Sequence, residues 1–146
     1  MNIGILGTRA SWAADVNLIA QVVLLAVLVA GVIRAKRRNL DVHHTWMRAV
    51  VVVNAVLIIA IMNPSFFRLL PSAVRNPGAV ERVPVWPHVL IGALAELLGI
   101  YAVLWIKTDV PESLRVRNIK WLMRITFLLW AVALVGGIVL YFVWYM

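Results

Sequence analysis

The sequence predicts an all-α integral membrane protein, an antiparallel bundle of four transmembrane helices with both termini on the outer side. Three observations carry that expectation. Four apolar stretches are each long enough for a bilayer, which takes about 20 residues per helix. Of 146 residues, 64% are hydrophobic and only 14% charged, against roughly a quarter charged in soluble domains. The basic residues, finally, are shared very unevenly between the connections.

Taken in order, the spans cover about residues 16–34, 46–66, 84–106 and 122–145, all in a single domain without internal repeats. The first run is longer than the apolar region of a signal peptide, its basic cluster follows rather than precedes it, and no small-residue cleavage site comes after, so it reads as a retained helix. Between the second and third spans, Pro64 to Pro87 holds five of the six prolines. Proline removes an amide donor and disfavours helix in the residue before it, so this connection is expected to be a non-helical cap. Within it "FFRLLPS" reads as a loop in preference to a segment lying in the headgroup layer. In "KTDVPESLRVRNIKWLMR", Asp109 is the expected N-cap, Pro111 the first-turn proline and Glu112 the capping-box acid, which starts the fourth helix near Val110.

Charge sets the expected orientation. Ten cations surround the first and third connections (Arg34, Lys36, Arg37, Arg38, Arg48; Lys107, Arg115, Arg117, Lys120, Arg124), and four lie elsewhere. The positive-inside rule then places those two connections in the cytoplasm. The net charge of +8 is thereby explained as a topology signal that also favours anionic lipid headgroups at the cytoplasmic face, not as a nucleic-acid surface. Trp12, Trp86 and Trp144 fall at outer ends of spans, Trp46, Trp105 and Trp121 at inner ends, and Trp130 alone lies deeper. The chain has no cysteine, so disulfides, thiolate ligands and thiol nucleophiles are excluded.

Polar groups inside hydrocarbon are the candidates for function, because each costs about 2.5 to 3.5 kcal/mol on insertion scales if ionisable. Glu96 in "GALAELLGIY" is the acid of the spans and lies near the midplane. At helical spacing His88, Gly92 and Glu96 form one stripe, with Ala95 and Gly99 beside it, which is expected to face Gly136 and Gly137 of the fourth helix. Asn54 lies at about the depth of Glu96, and Asn17 and Gln21 lie one turn apart in the outer half of the first helix. Asn17, Gln21, Asn54 and Glu96 are therefore an expected polar cluster, either interhelical hydrogen-bond glue or an outward-facing pocket with Glu96 at its floor.

The histidines raise the question of a cofactor. His44 starts the second helix at one face and His88 starts the third at the other, about 30 Å apart across the hydrocarbon, so no single ion or haem spans both. His43 is expected to be a wet interfacial side chain. His44 and Met47, at spacing i and i+3, share a face. His88, Glu96 and His44 are the candidate cofactor-binding residues, for haem b or a quinone; no metal site and no catalytic residue is assigned.

"HTWM" with His44 and Met47, "PHVLIGALAELLGIY" with His88, and "RNIKWLMRITFLLWAVALVGGIVLY" with Trp130, Gly136, Gly137 and Tyr141 resemble the four-helix membrane family named domain of unknown function 420, over about residues 16–146. The resemblance implies a small bacterial or archaeal membrane protein, and for some members a link to assembly of haem–copper oxidases. The family pattern has four histidines, two at each face, like the paired ligands of two-haem bundles. This chain departs from it: "MNPSFFR" lacks a histidine, and Asn118 and Lys120 stand where another would be. Both pairs are broken.

Together these readings lead to an expected non-catalytic accessory subunit or assembly factor of a larger, respiratory membrane complex in a prokaryotic plasma membrane, with a homo-oligomer as the other partner. A b-type haem or quinone-binding redox protein is the alternative. A small transporter using Glu96 comes third, for want of inverted repeats or broken helices.

Overall fold

The computed structural model describes residues 4–75, 85–107 and 111–146. Five α-helices are present: α1 (Trp12–Lys36), α2 (Leu40–Leu57), α3 (Asn63–Arg75), α4 (Val85–Lys107) and α5 (Ile119–Tyr145), and no strand occurs among the described residues. Four helices are long and apolar enough to cross a membrane, Trp12–Lys36, Leu40–Arg68, Val85–Ile106 and Ile119–Tyr145. Valine and leucine side chains point outward along all of them, with Val52, Leu97 and Leu128 more than half exposed. That inside-out surface suits lipid, and the chain is an integral membrane four-helix bundle, as its sequence predicts.

Local chemistry fixes the helix ends. Ser11 Oγ accepts the Ala14 amide to start α1, and Asn39 Oδ1 accepts the Val42 amide to start α2. Between them the chain turns in three residues. Arg38 has φ 61°, its amide bonds to Ala35 O, and the Asn39 amide bonds to Arg34 O. This is a Schellman motif with arginine in the left-handed position usually held by glycine. α2 thus begins four residues ahead of His44, in contrast to a start at that residue, because Asn39 is the stronger cap.

The expected non-helical cap after residue 63 is corrected. A π-helical turn, Ile58–Met62, joins α2 to α3, and helix continues through Pro64 and Pro71 to Arg75. Pro64 has no N–H to give Ala60 four residues earlier and its ring crowds that carbonyl. The wider π turn absorbs the mismatch: the Asn63 amide reaches back to Ile58 O. Residues 76–84 of the expected cap, Arg82 among them, lie outside the described residues.

A second correction concerns α5. A single 3-10 turn spans Glu112–Leu114, Arg115 is extended, and α5 starts only at Ile119, capped by Asn118 Oδ1 accepting the Trp121 amide. The expected cap Asp109 and start near Val110 lie outside the described residues, and helix at 111–118 is overturned. The Tyr101 hydroxyl takes the Val116 amide, which holds that stretch extended against α4.

In cross-section α1 lies beside α2, α2 beside α4, α4 beside α5 and α5 beside α1, so the four spans close into a ring. Leu24, Leu28 and Val50 form the core, with Met47, Phe127 and Trp130 packed on it.

Candidate functional site: a cavity beside a buried polar chain

Three spans meet at mid-depth through side-chain amides. Gln21 Nε2 on α1 donates to Asn54 Oδ1 on α2 at 2.7 Å, and Asn54 Nδ2 donates to Glu96 Oε2 on α4 at 2.7 Å. The amide of asparagine, with one accepting and one donating end, is what lets Asn54 join two neighbours. Asn54 and Glu96 are buried, and Glu96 Oε1 has no partner.

On the side of this chain where α4 begins lies a cavity of about 410 Å³, inside the range of small-molecule pockets. Asn17, Gln21, Asn54 and His88 contribute to its wall, as does the π turn through Ile58 and Met62. Among the described residues its lining contains no lysine or arginine; apart from Asn63 and Ser65 the rest of it is apolar and aromatic. Glu96 is not part of the wall: Ala95 and Gly92 are. The expected floor position of Glu96 is therefore corrected, since Asn54 stands between the carboxyl and the cavity.

His88 is held firmly. Its Nδ1 lies 2.9 Å from Ala133 O on α5, and a carbonyl can only accept, so Nδ1 carries the proton and Nε2 of the neutral ring is an acceptor. The glycine pair makes room for this. A Cβ on Gly137 would lie 3.0 Å from His88 Cε1, and one on Gly136 3.5 Å from Nδ1. The expected meeting of the His88 stripe with Gly136 and Gly137 is what brings α4 and α5 together. Asn17 Oδ1 and Trp130 Nε1 are buried without a partner, and both residues line the cavity.

His44 belongs elsewhere. It lines a smaller cavity of about 100 Å³ toward the opposite end, together with His43, Met47, Met123 and Trp130. Ten residues of α2 separate His44 from Asn54, and eight of α4 separate Glu96 from His88, which puts the two imidazoles about 27 Å apart along the bundle. They share no ligand. His43 is buried, with Nδ1 2.9 Å from Gly31 O, so the expected wet interfacial side chain is overturned. Because α2 begins at Leu40, His43 faces α1 over a glycine, where an added Cβ would run into Met47 Cε.

Paired-histidine ligation of haem does not fit these residues. At the His44 end the two histidines are neighbours on one helix, one of them committed to Gly31, beside a cavity below the usual size of ligand pockets. At the other end His88 has no second histidine among the described residues. No group of three or more His, Cys, Asp or Glu side chains is placed to hold a metal among the described residues.

A feature unseen in sequence reasoning closes the end near the cavity. Residues 4–11 fold over α1 and α5, and Asp15 is fully buried beneath them. Its carboxylate accepts the Leu6 amide at 2.9 Å and the Tyr141 hydroxyl. Thr8 Oγ1 lies 2.8 Å from Tyr141 Oη, and the Arg9 amide reaches Tyr145 O. Tyr141 and Tyr145 also line the cavity. The signal was an acid in the first turn of α1, one residue before the apolar run begins.

No family model, curated protein or solved structure matches this chain. The resemblance carried by "HTWM" and the glycine pair therefore has no independent support.

Proposed function

We propose that this is a small, non-catalytic membrane protein that binds a lipophilic molecule in the cavity between Gln21, Asn54 and His88. The observation that carries this reading is a ligand-sized cavity of about 410 Å³ with polar groups converging on its wall in an otherwise apolar bundle. Glue alone would leave the Gln21–Asn54–Glu96 chain as it is, but would not open such a space beside it. Quinones and quinols are among the molecules of suitable character.

The proposal includes a setting. The cation distribution argues for both termini and the cavity on the outer side of a prokaryotic plasma membrane, with the Arg34–Arg48 and Lys107–Arg124 regions among anionic headgroups. That setting includes an accessory or assembly role beside a larger membrane complex, with the bound lipophile as its cargo or anchor.

Mass spectrometry of organic-solvent extracts tests the binding reading. A lipophile retained by the purified wild type should be lost from Gly92→Phe, since a side chain at this wall position points to space where the nearest atom of another helix is Ala133 Cβ at 3.9 Å. Equal lipophile content in a folded Gly92→Phe protein would refute it.

A further inference from the structure

We infer that the ligand of this cavity is a neutral lipophile with a phenolic head, whose hydroxyl donates to His88 Nε2; the inference rests on the cavity-binding reading above. Three features of the wall select that class. First, the wall leaves both kinds of polar atom open: His88 is locked by Ala133 O with Nδ1–H as its donor, leaving Nε2 to accept, Asn17 carries an unpartnered Oδ1, and Trp130 Nε1–H is an unpartnered donor, a set that a hydroxyl, which donates and accepts, can meet. Asn54 has its amide oxygen engaged by Gln21 and one of its two N–H groups by Glu96. A ligand that only accepts leaves His88 Nε2 and Asn17 Oδ1 unsatisfied in a low-dielectric site, which is where such omissions are costly.

Second, charge excludes anions. Among the described residues the lining has no lysine or arginine to hold a carboxylate or phosphate, and the Asp15 carboxylate lies behind Tyr141 at its edge. Fatty acids and anionic phospholipid headgroups are thereby disfavoured. Third, the wall is aromatic, with Phe66, Phe67, Trp130, Tyr141 and Trp144 on it. Aromatic pairs in offset or edge-to-face arrangements add to burial of area, so a ring is favoured over a plain alkyl alcohol.

The test compares three probes of equal tail length: 4-dodecylphenol, its methyl ether 4-dodecylanisole, and 4-dodecylbenzoate. Binding to the full-length protein in nanodiscs is measured by equilibrium partition against protein-free nanodiscs. The wild type should hold the phenol on the order of tenfold more tightly than the ether, and the benzoate most weakly. His88→Phe should erase the preference by weakening the phenol while leaving the ether unchanged. Should that variant fail to fold, Asn17→Leu serves, and should narrow the preference. Phenol and ether bound equally by the wild type, or benzoate bound best, would overturn the hydroxyl inference while the cavity reading stands. Retention of none of the three above the protein-free nanodiscs would overturn both.

Discussion

Asn54 is the node on which three helices depend, and its replacement tests the polar chain at the level of single atoms. Asn54→Leu leaves Gln21 Nε2 and Glu96 Oε2 without their partners and is expected to destabilise the bundle by about 1–2 kcal/mol. Gln21→Leu, which removes one bond at the edge of the chain, should cost about 0.6 kcal/mol. Unfolding in mixed micelles as a function of SDS fraction measures both, and equal or negligible losses would place the stability elsewhere. These residues were legible from sequence because an amide or carboxyl in an apolar run has few alternatives to turning inward. Asp15 was not. It borders the run instead of interrupting it, and its partner Tyr141 lies 126 residues away in a stretch where aromatics are common. His43 was misread for a related reason: its burial depends on Asn39 starting α2 early and on Gly31 admitting the ring, two details of packing that hydropathy does not encode.

At the scale of elements, the tightest joint is the turn from α1 to α2. Arg38 holds a left-handed conformation, φ 61°, that costs an ordinary L-residue about 1–2 kcal/mol and glycine little. Arg38→Gly should therefore raise stability by about 0.5–1 kcal/mol after allowing for glycine's greater freedom in the unfolded chain, read by the same SDS titration. A loss of stability would mean that the Arg38 side chain contributes more than its backbone strain costs. Periodicity and length placed the four spans well, since an apolar run of about 20 residues has one common solution in lipid. Proline misled the reading of the connection between the second and third spans. A single missing donor at Pro64 is absorbed by one π turn when the flanking helix is otherwise favourable, and only a bilayer-length helix already in place makes that the cheaper path. The start of α5 was placed too early because the Pro111–Glu112 signal starts only a single 3-10 turn, and the bond from the Val116 amide to the Tyr101 hydroxyl precedes the Asn118 cap.

At the scale of the whole molecule, the described residues of the four-span ring leave a cavity of about 410 Å³ at the His88 end and a smaller one of about 100 Å³ at the His44 end. The proposed orientation puts the larger one outside. With no native cysteine, Ile5→Cys should react with an impermeant maleimide in intact cells and Asn39→Cys only after lysis; the reverse pattern would invert the bundle. The broad arrangement follows from apolar length and charge bias, both of which a sequence displays openly. A cavity is a different matter, because it is set by how side chains on four helices fail to fill a space, and no local pattern records that. The most direct measurement is photolabelling with a diazirine-bearing alkylphenol in nanodiscs, with sites mapped by mass spectrometry. The account predicts adducts concentrated on Met62, Phe66 and Trp144, displaced by excess 4-dodecylphenol and lost in Gly92→Phe. Adducts confined to outward-facing residues such as Val52, Leu128 and Val135, with no competition, would contradict it.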